Sequence, residues 1–207
     1  MNVHSERGLK EMTVEETDKC RAVSKAALEL IAEQGFHGTP ISQIAKRAGV
    51  SVGSIYRYFS DKDELIHAIH ARLEEKMHLA LMAGVSGDMV DREQFIQLIK
   101  LLVRHLVNNP LEFKFLEQYF NSPFGIEKMR EKFLEDAGPR CDAQKPFFNI
   151  LAGGRGKTIK DLPVPVIHSL AFGPVIFLVR DLMAGFIKLD EKLLHNFATG
   201  CWDAIKL

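Results

Sequence analysis

Cysteine pairs, metal-ligand clusters, catalytic signatures and unbroken apolar runs are scarce or missing in this chain of 207 residues, and each absence removes a class of protein. The three cysteines, Cys20, Cys141 and Cys201, are far apart and odd in number. That fits a reducing cytoplasm better than a disulfide framework, and no CxxC pair is present to hold zinc. Charge of one sign is also lacking: 27 basic residues balance 27 acidic ones, which counts against a general nucleic-acid coat protein. The longest apolar stretch, Val164 to Val179, is broken by Pro165, His168, Ser169, Gly173 and Pro174 and reads as too short for a bilayer. The N-terminus is polar and charged, without a signal-peptide pattern. A cytoplasmic protein without membrane attachment is therefore expected. GxSxG, HExxH and paired-carboxylate patterns do not occur, so neither catalysis nor a cofactor is expected.

Strand-like alternation of useful length is absent as well, whereas helical periodicity runs through nearly the whole chain. A capping-box spacing, Thr13 with Glu16, opens a helix that runs to Gln34 with Val23, Ala26, Ala27, Leu30 and Ile31 inward, and Gly35 ends it. A long helix from about Asp61 to Ala83 follows the next block. Amphipathic segments then fall at about 92–108, 110–120 and 124–137, punctuated by Asn109-Pro110 and Ser122-Pro123. A very apolar helix is expected from Pro165 to Ile187, and a last one capped by Asp190 reaches about Lys206. The sum is an all-α protein of about nine helices. Its division is expected at residues 1–60 and 61–207.

Between Phe36 and Leu65 the chain reads FHGTPISQIAKRAGVSVGSIYRYFSDKDEL, two short helices around a tight turn plus the start of a third. Ile41, Ile44, Ala45 and Ala48 recur at helical spacing, Gly49 stops the first helix as a left-handed cap would, and Ser51 caps the second. Ile55 and Phe59 turn inward, leaving Val52, Gly53, Ser54, Tyr56, Arg57 and Tyr58 outward. Small residues at a helix start let a backbone approach base edges, while tyrosine and arginine reach phosphates or guanine. From Phe36 to Lys62, four basic residues (Lys46, Arg47, Arg57, Lys62) face one acid, Asp61.

This block resembles the DNA-binding domain of the tetracycline-repressor (TetR) family, down to the string GVSVGSIYRYFSDKDEL. The likeness covers about the first third of the chain. It implies an N-terminal helix-turn-helix domain followed by a C-terminal helical ligand-binding and dimerisation domain. By position, it places DNA contacts on Thr39, Ser42, Ser51, Val52, Gly53, Ser54, Tyr56, Arg57, Tyr58 and Lys62. Side-chain reach suggests Tyr56, Tyr58 and Lys62 as backbone anchors and Val52, Ser54 and Arg57 as base readers. The family also implies a homodimer built from the last two helices, which fits the string FGPVIFLVRDLMAG, and an effector cavity in the second domain. Phe95, Phe113, Phe115, Tyr119, Phe120, Phe147, His168 and Phe172 are its candidate lining, suited to an apolar or aromatic small molecule. Arg104 and His105 are further candidate polar anchors.

Two other motifs carry less. Gly153 to Thr158 ends in GKT, as a phosphate-binding loop does, but Leu151 stands where the first glycine belongs and no strand precedes it. His67, His70, Glu74 and His78 share a helical sector, read as a solvated face in preference to a metal site. The expectation is a DNA-binding transcriptional regulator, a repressor released from a palindromic double-stranded operator when an effector pivots the linking helix. The alternative is a helical ligand-binding or interaction protein that does not read DNA.

Overall fold

The computed structural model describes residues 14–82, 92–127 and 154–207. Among these, eight helices are complete: α1 Val14–Gln34, α2 Ile41–Ala48, α3 Val52–Tyr58, α4 Lys62–Met82, α5 Arg92–Asn108, α6 Pro110–Phe120, α7 Val164–Met183 and α8 Glu191–Ile205. A further helical segment begins at Pro123, and its expected continuation to Ala137 lies outside the described residues. The all-α architecture follows from the sequence periodicity.

Two compact units divide the chain, Met1–Ile69 and His70–Leu207. In the first, Val23, Ala27 and Ile31 of α1, Ile44 of α2, Ile55 of α3 and Leu65 of α4 are shielded from solvent almost completely, each at 0% exposure. On α1 the buried Val23, Ala26, Ala27, Leu30 and Ile31 recur at three- and four-residue intervals, so the helix contributes one stripe to the core. Gly49 takes φ 69° at the end of α2, the left-handed conformation that lets its amide reach back to the last carbonyls. α4 begins at Lys62, next to the start near Asp61 that the sequence suggests. Asp61 is the cap: its Oδ1 accepts from the Glu64 amide at 2.7 Å, and the Glu64 carboxylate accepts from the amide of Ser60.

In the second unit α5, α7 and α8 pack mutually, with α6 against α5. Phe95, Ile99 and Val103 of α5, Ile167, Ala171, Val175 and Val179 of α7 and Ala198 and Ile205 of α8 are fully buried. The Asp190 carboxylate caps α8 by accepting from the Leu193 amide at 2.7 Å. Asn109 does not cap α6 with its side chain. Its Nδ2 donates instead to the His105 carbonyl at 2.7 Å, and its Oδ1 accepts from Lys76 at 3.0 Å. α7 stops at Met183, short of Ile187, because Gly185 enters the left-handed region (φ 76°) and the Phe186 amide turns back to Asp181. By length and composition this 20-residue helix could cross a membrane, against the sequence expectation of too short a run. Its Ile167–Val179 stripe is instead buried within the unit.

Candidate DNA-reading surface and effector region

α3 is held from both ends. The Ser51 hydroxyl accepts from the Ser54 amide at 3.1 Å and lies 2.9 Å from the Ser54 hydroxyl, while Ile55 and Phe59 anchor the inner side. Outward, Val52, Gly53, Tyr56 and Arg57 are exposed, and Ser54 and Tyr58 are half-buried. Ser42 of α2 is exposed too. Tyr56 is 52% exposed, a large aromatic ring that the interior of this unit does not use. A methyl group at Gly53 would meet only Ser51 Oγ, at 3.9 Å. The fold therefore does not ask for glycine there, although glycine costs a helix about 1 kcal/mol relative to alanine. Such a residue fits a surface that must approach another body closely.

At least three of the ten expected contact residues have work inside the unit. Thr39 is fully buried and its hydroxyl donates to the Gly35 carbonyl at 2.8 Å, so it shapes the connection after α1; the expectation of direct DNA contact is corrected by that burial. Lys62 donates from Nζ to the carbonyl oxygen of Phe36, joining the start of α4 to the end of α1. Burial lowers its pKa below the ordinary lysine value, with Asp63 opposing. Ser51 spends its oxygen on the cap. The positive charge counted from sequence is thinner than it looked, because Arg47 lies 3.3 Å from Glu33 and 3.6 Å from Glu29 of α1. The hydrogen bond that Arg47 donates to the Glu33 carboxylate is the main cause of its raised pKa. Lys46 and Arg57 are the remaining exposed cations of the stretch.

In the second unit Phe95, Phe113, Phe115 and Tyr119 are at most 2% exposed, Phe172 is 8% exposed and His168 is half-buried. Phe120 is 39% exposed, and Phe147 lies outside the described residues. The rings fall into two sets. Phe95 sits 6.3 Å from Phe172 and 5.5 Å from Trp202, and His168 is 5.2 Å from Phe172. Around α6, Tyr119 is 6.2 Å from Phe115 and 5.8 Å from Phe120, and it stacks on His70 at 3.9 Å with 14° between planes.

Sequence reasoning missed two members of these sets. Trp202, on the last helix that the family resemblance gives to the dimer, faces inward at 7% exposure. His70 was placed on a solvated face but is 2% exposed, beside Glu74 at 3.7 Å. Its register with Ile66 and Leu73, four residues before and three after, was the available signal. No cluster of metal-ligating side chains is found among the described residues. Arg104 of α5 pairs with Glu191 at the start of α8, both of them well exposed. His105 approaches Glu112 at 4.0 Å, and burial lowers its pKa while Glu112 raises it.

The GKT loop is closed on itself. The amides of Lys157, Thr158 and Ile159 all donate to the Gly154 carbonyl, and that of Gly156 to Ile159, so they are turned away from any phosphate. On α7 and α8 an open groove of about 710 Å³ is lined by Ser169, Gly173, Pro174, Phe177, Leu178, Asp181 and Phe197. Phe177 is 64% exposed.

Two stretches of the chain match known families. Residues 24–69 match the family described as bacterial regulatory proteins, tetR family, and residues 92–206 match the tetracyclin repressor-like C-terminal domain. The "Fatty acid metabolism regulator protein" of Bacillus subtilis is 40% identical over 194 residues, covering 88% of this chain and 95% of that protein. A helix-turn-helix-type transcriptional repressor of Mycobacterium tuberculosis is 28% identical over 119 residues, covering 58% of this chain and 63% of the other. Among solved structures, a TetR-family transcription regulator from Marinobacter aquaeolei superposes with a TM-score of 0.77 at 23% identity, covering 94% of this chain and 99% of that one. With a helix-turn-helix unit exposing α3 and a matched helical second unit, the chain belongs to the tetR family of bacterial regulatory proteins and is a DNA-binding transcriptional regulator.

Proposed function

We propose that the protein is a homodimeric repressor that binds a palindromic operator through α3 of each subunit and is released by an apolar effector held in the second unit. The outer face of α3 carries this reading: Val52, Gly53, Ser54, Tyr56, Arg57 and Tyr58 present small, aromatic and cationic groups together. In it, Val52, Ser54 and Arg57 meet bases, while Tyr56, Tyr58 and Lys62 meet phosphates, Lys62 keeping its Phe36 bond with one of three N–H donors. Subunits pair through α7 and α8. Phe177 is exposed there, and methyl groups at Gly173 and Gly200 would meet nothing within 4 Å, so these helices have room for a close neighbour that the subunit itself does not supply. Two-fold pairing also matches the symmetry of a palindrome.

The Bacillus subtilis relative is named for fatty acid metabolism. Genes of that metabolism are accordingly the first targets to test, and fatty acids the first effectors, which the phenylalanine-rich interior suits. Signal and response are joined by α4, which runs from Lys62 to Met82 across the boundary at Ile69. The protein acts inside the cell, where its operator is. Fluorescence anisotropy with DNA from upstream of its own gene, at two salt concentrations and beside Arg57→Ala, tests the DNA arm. Specific, salt-sensitive binding to one palindromic segment is expected, with the variant losing about 1–3 kcal/mol per contacted base pair. Equal, weak binding of both proteins to any DNA overturns the reading in favour of a helical binding protein that does not read DNA.

A further inference from the structure

The α7 face that carries Phe177 is also wired to α6. Arg180, one turn after Phe177, places its guanidinium carbon 5.2 Å from the centre of the Phe177 ring. The same guanidinium donates from Nε to Glu117 Oε1 of α6 at 2.8 Å and again from Nη2. Two donors and a ring face therefore fix one arginine, and the arginine in turn fixes the ring. α6 is gripped from α4 too, by Lys76 at 2.6 Å from Glu112 and by the His70–Tyr119 stack.

We infer that Arg180 is a positioning residue for subunit pairing: anchored by Glu117 of α6, it holds Phe177 in the orientation that the partner copy packs against. The inference rests on the pairing of α7 and α8 proposed above. Alone in the subunit, the Arg180–Glu117 pair is half-exposed and contributes little. When a second copy covers Phe177, water leaves, the local dielectric falls and the same charges interact more strongly. The coupling between the two charges is thus larger in the dimer than in the monomer, so removing one partner costs more there, and by linkage a displacement of α6 that breaks the pair alters subunit affinity. An ordinary rim ion pair lacks this property, since it would not orient an aromatic ring on the shared face.

The test is sedimentation velocity on the full chain across a concentration series, with melting followed by circular dichroism as a control on folding. Glu117→Gln and Arg180→Gln are each expected to weaken dimerisation about tenfold, and the exchanged pair Glu117→Arg with Arg180→Glu to recover most of that loss. A merely structural role for the pair would move the melting temperature and leave the dimer constant alone. Single variants that dimerise as tightly as the parent overturn the inference, as does an exchanged pair no tighter than either single variant. Phe177→Asp separates this from the interface itself. If it leaves the dimer intact, the α7–α8 reading falls; if it splits the dimer while Glu117→Gln does not, only the role of Arg180 falls.

Discussion

The two units bury similar apolar stripes but leave opposite things outside. In the first, α3 leaves Tyr56 and Arg57 exposed on the helix that carries Gly53, with Val52 at 39% exposure before it. In the second, α7 leaves Val166 at 43% and Phe177 at 64% exposure beside Gly173. The two surfaces suit different partners, a phosphate-lined groove on one side and a second apolar face on the other. The glycines make the same distinction. A Cβ at Gly125 would lie 2.2 Å from the Tyr119 carbonyl oxygen and 2.5 Å from Phe120 Cα, so that glycine is required by the fold. Gly53, Gly173 and Gly200 face open space or a distant hydroxyl. A residue with a cost and no internal use points to what lies outside the molecule.

The largest effect expected is on the inner side of this contrast. Phe95 is fully buried between Phe172 and Trp202, and Phe95→Ala should cost about 3–5 kcal/mol and unfold the second unit first. Hydrogen exchange resolved by peptide would show it: protection lost in α5, α7 and α8 with α1–α3 retained separates the units. Simultaneous loss in both would mean that they unfold as one. Gly125→Ala comes next, because backbone must move to admit the methyl, at about 1–3 kcal/mol by the measure of overpacked cores.

Gly53→Ala reverses the direction. The first unit should gain up to about 1 kcal/mol, read as a higher melting temperature, while operator affinity falls. Gly173→Ala should do the same to monomer stability and to dimerisation. A melting temperature raised without any loss of binding would break the contrast, since the glycines would then be serving neither the fold nor a partner.

How much of this was legible in the sequence depends on what signal each feature leaves. Helix positions were clear because apolar spacing and caps are local: Arg92–Asn108 and Pro110–Phe120 are bounded by Asn109-Pro110, and Ser51 and Asp190 cap as their residue types suggest. What escaped were side chains with two uses. Thr39 and Lys62 are polar residues of a DNA-reading block, and apolar spacing does not say that a carbonyl four residues back claims the one and a carbonyl 26 residues back the other. Arg47 counted as a free positive charge until α1 supplied Glu29 and Glu33 from more than ten residues away. His70 looked like one histidine of a solvated row, yet its neighbour Tyr119 comes from a helix 49 positions later. Tertiary partners of polar groups are not encoded in periodicity. The end of α7 was misjudged for a different reason, because hydrophobicity continues through Phe186 and Ile187 while the backbone has already turned at Gly185.

The smallest effect expected sharpens the comparison by pH. His105 of α5 is 11% exposed and faces Glu112 of α6, itself held by Lys76 of α4, with Asn109 bonded to the His105 carbonyl. Burial lowers its folded pKa, so near pH 6 the folded chain binds fewer protons at this site than the unfolded chain, whose histidine titrates near about 6.5. Stability from this group is then complete above the unfolded value and is lost as pH falls through the folded one. His105 lies in the second unit, so its contribution falls there. Thermal melts taken between about pH 7.5 and 5.5 should show α5–α8 weakening on acidification, with His105→Gln flattening part of the slope. An identical slope in the variant would place the acid sensitivity on other groups and leave His105 a packing residue.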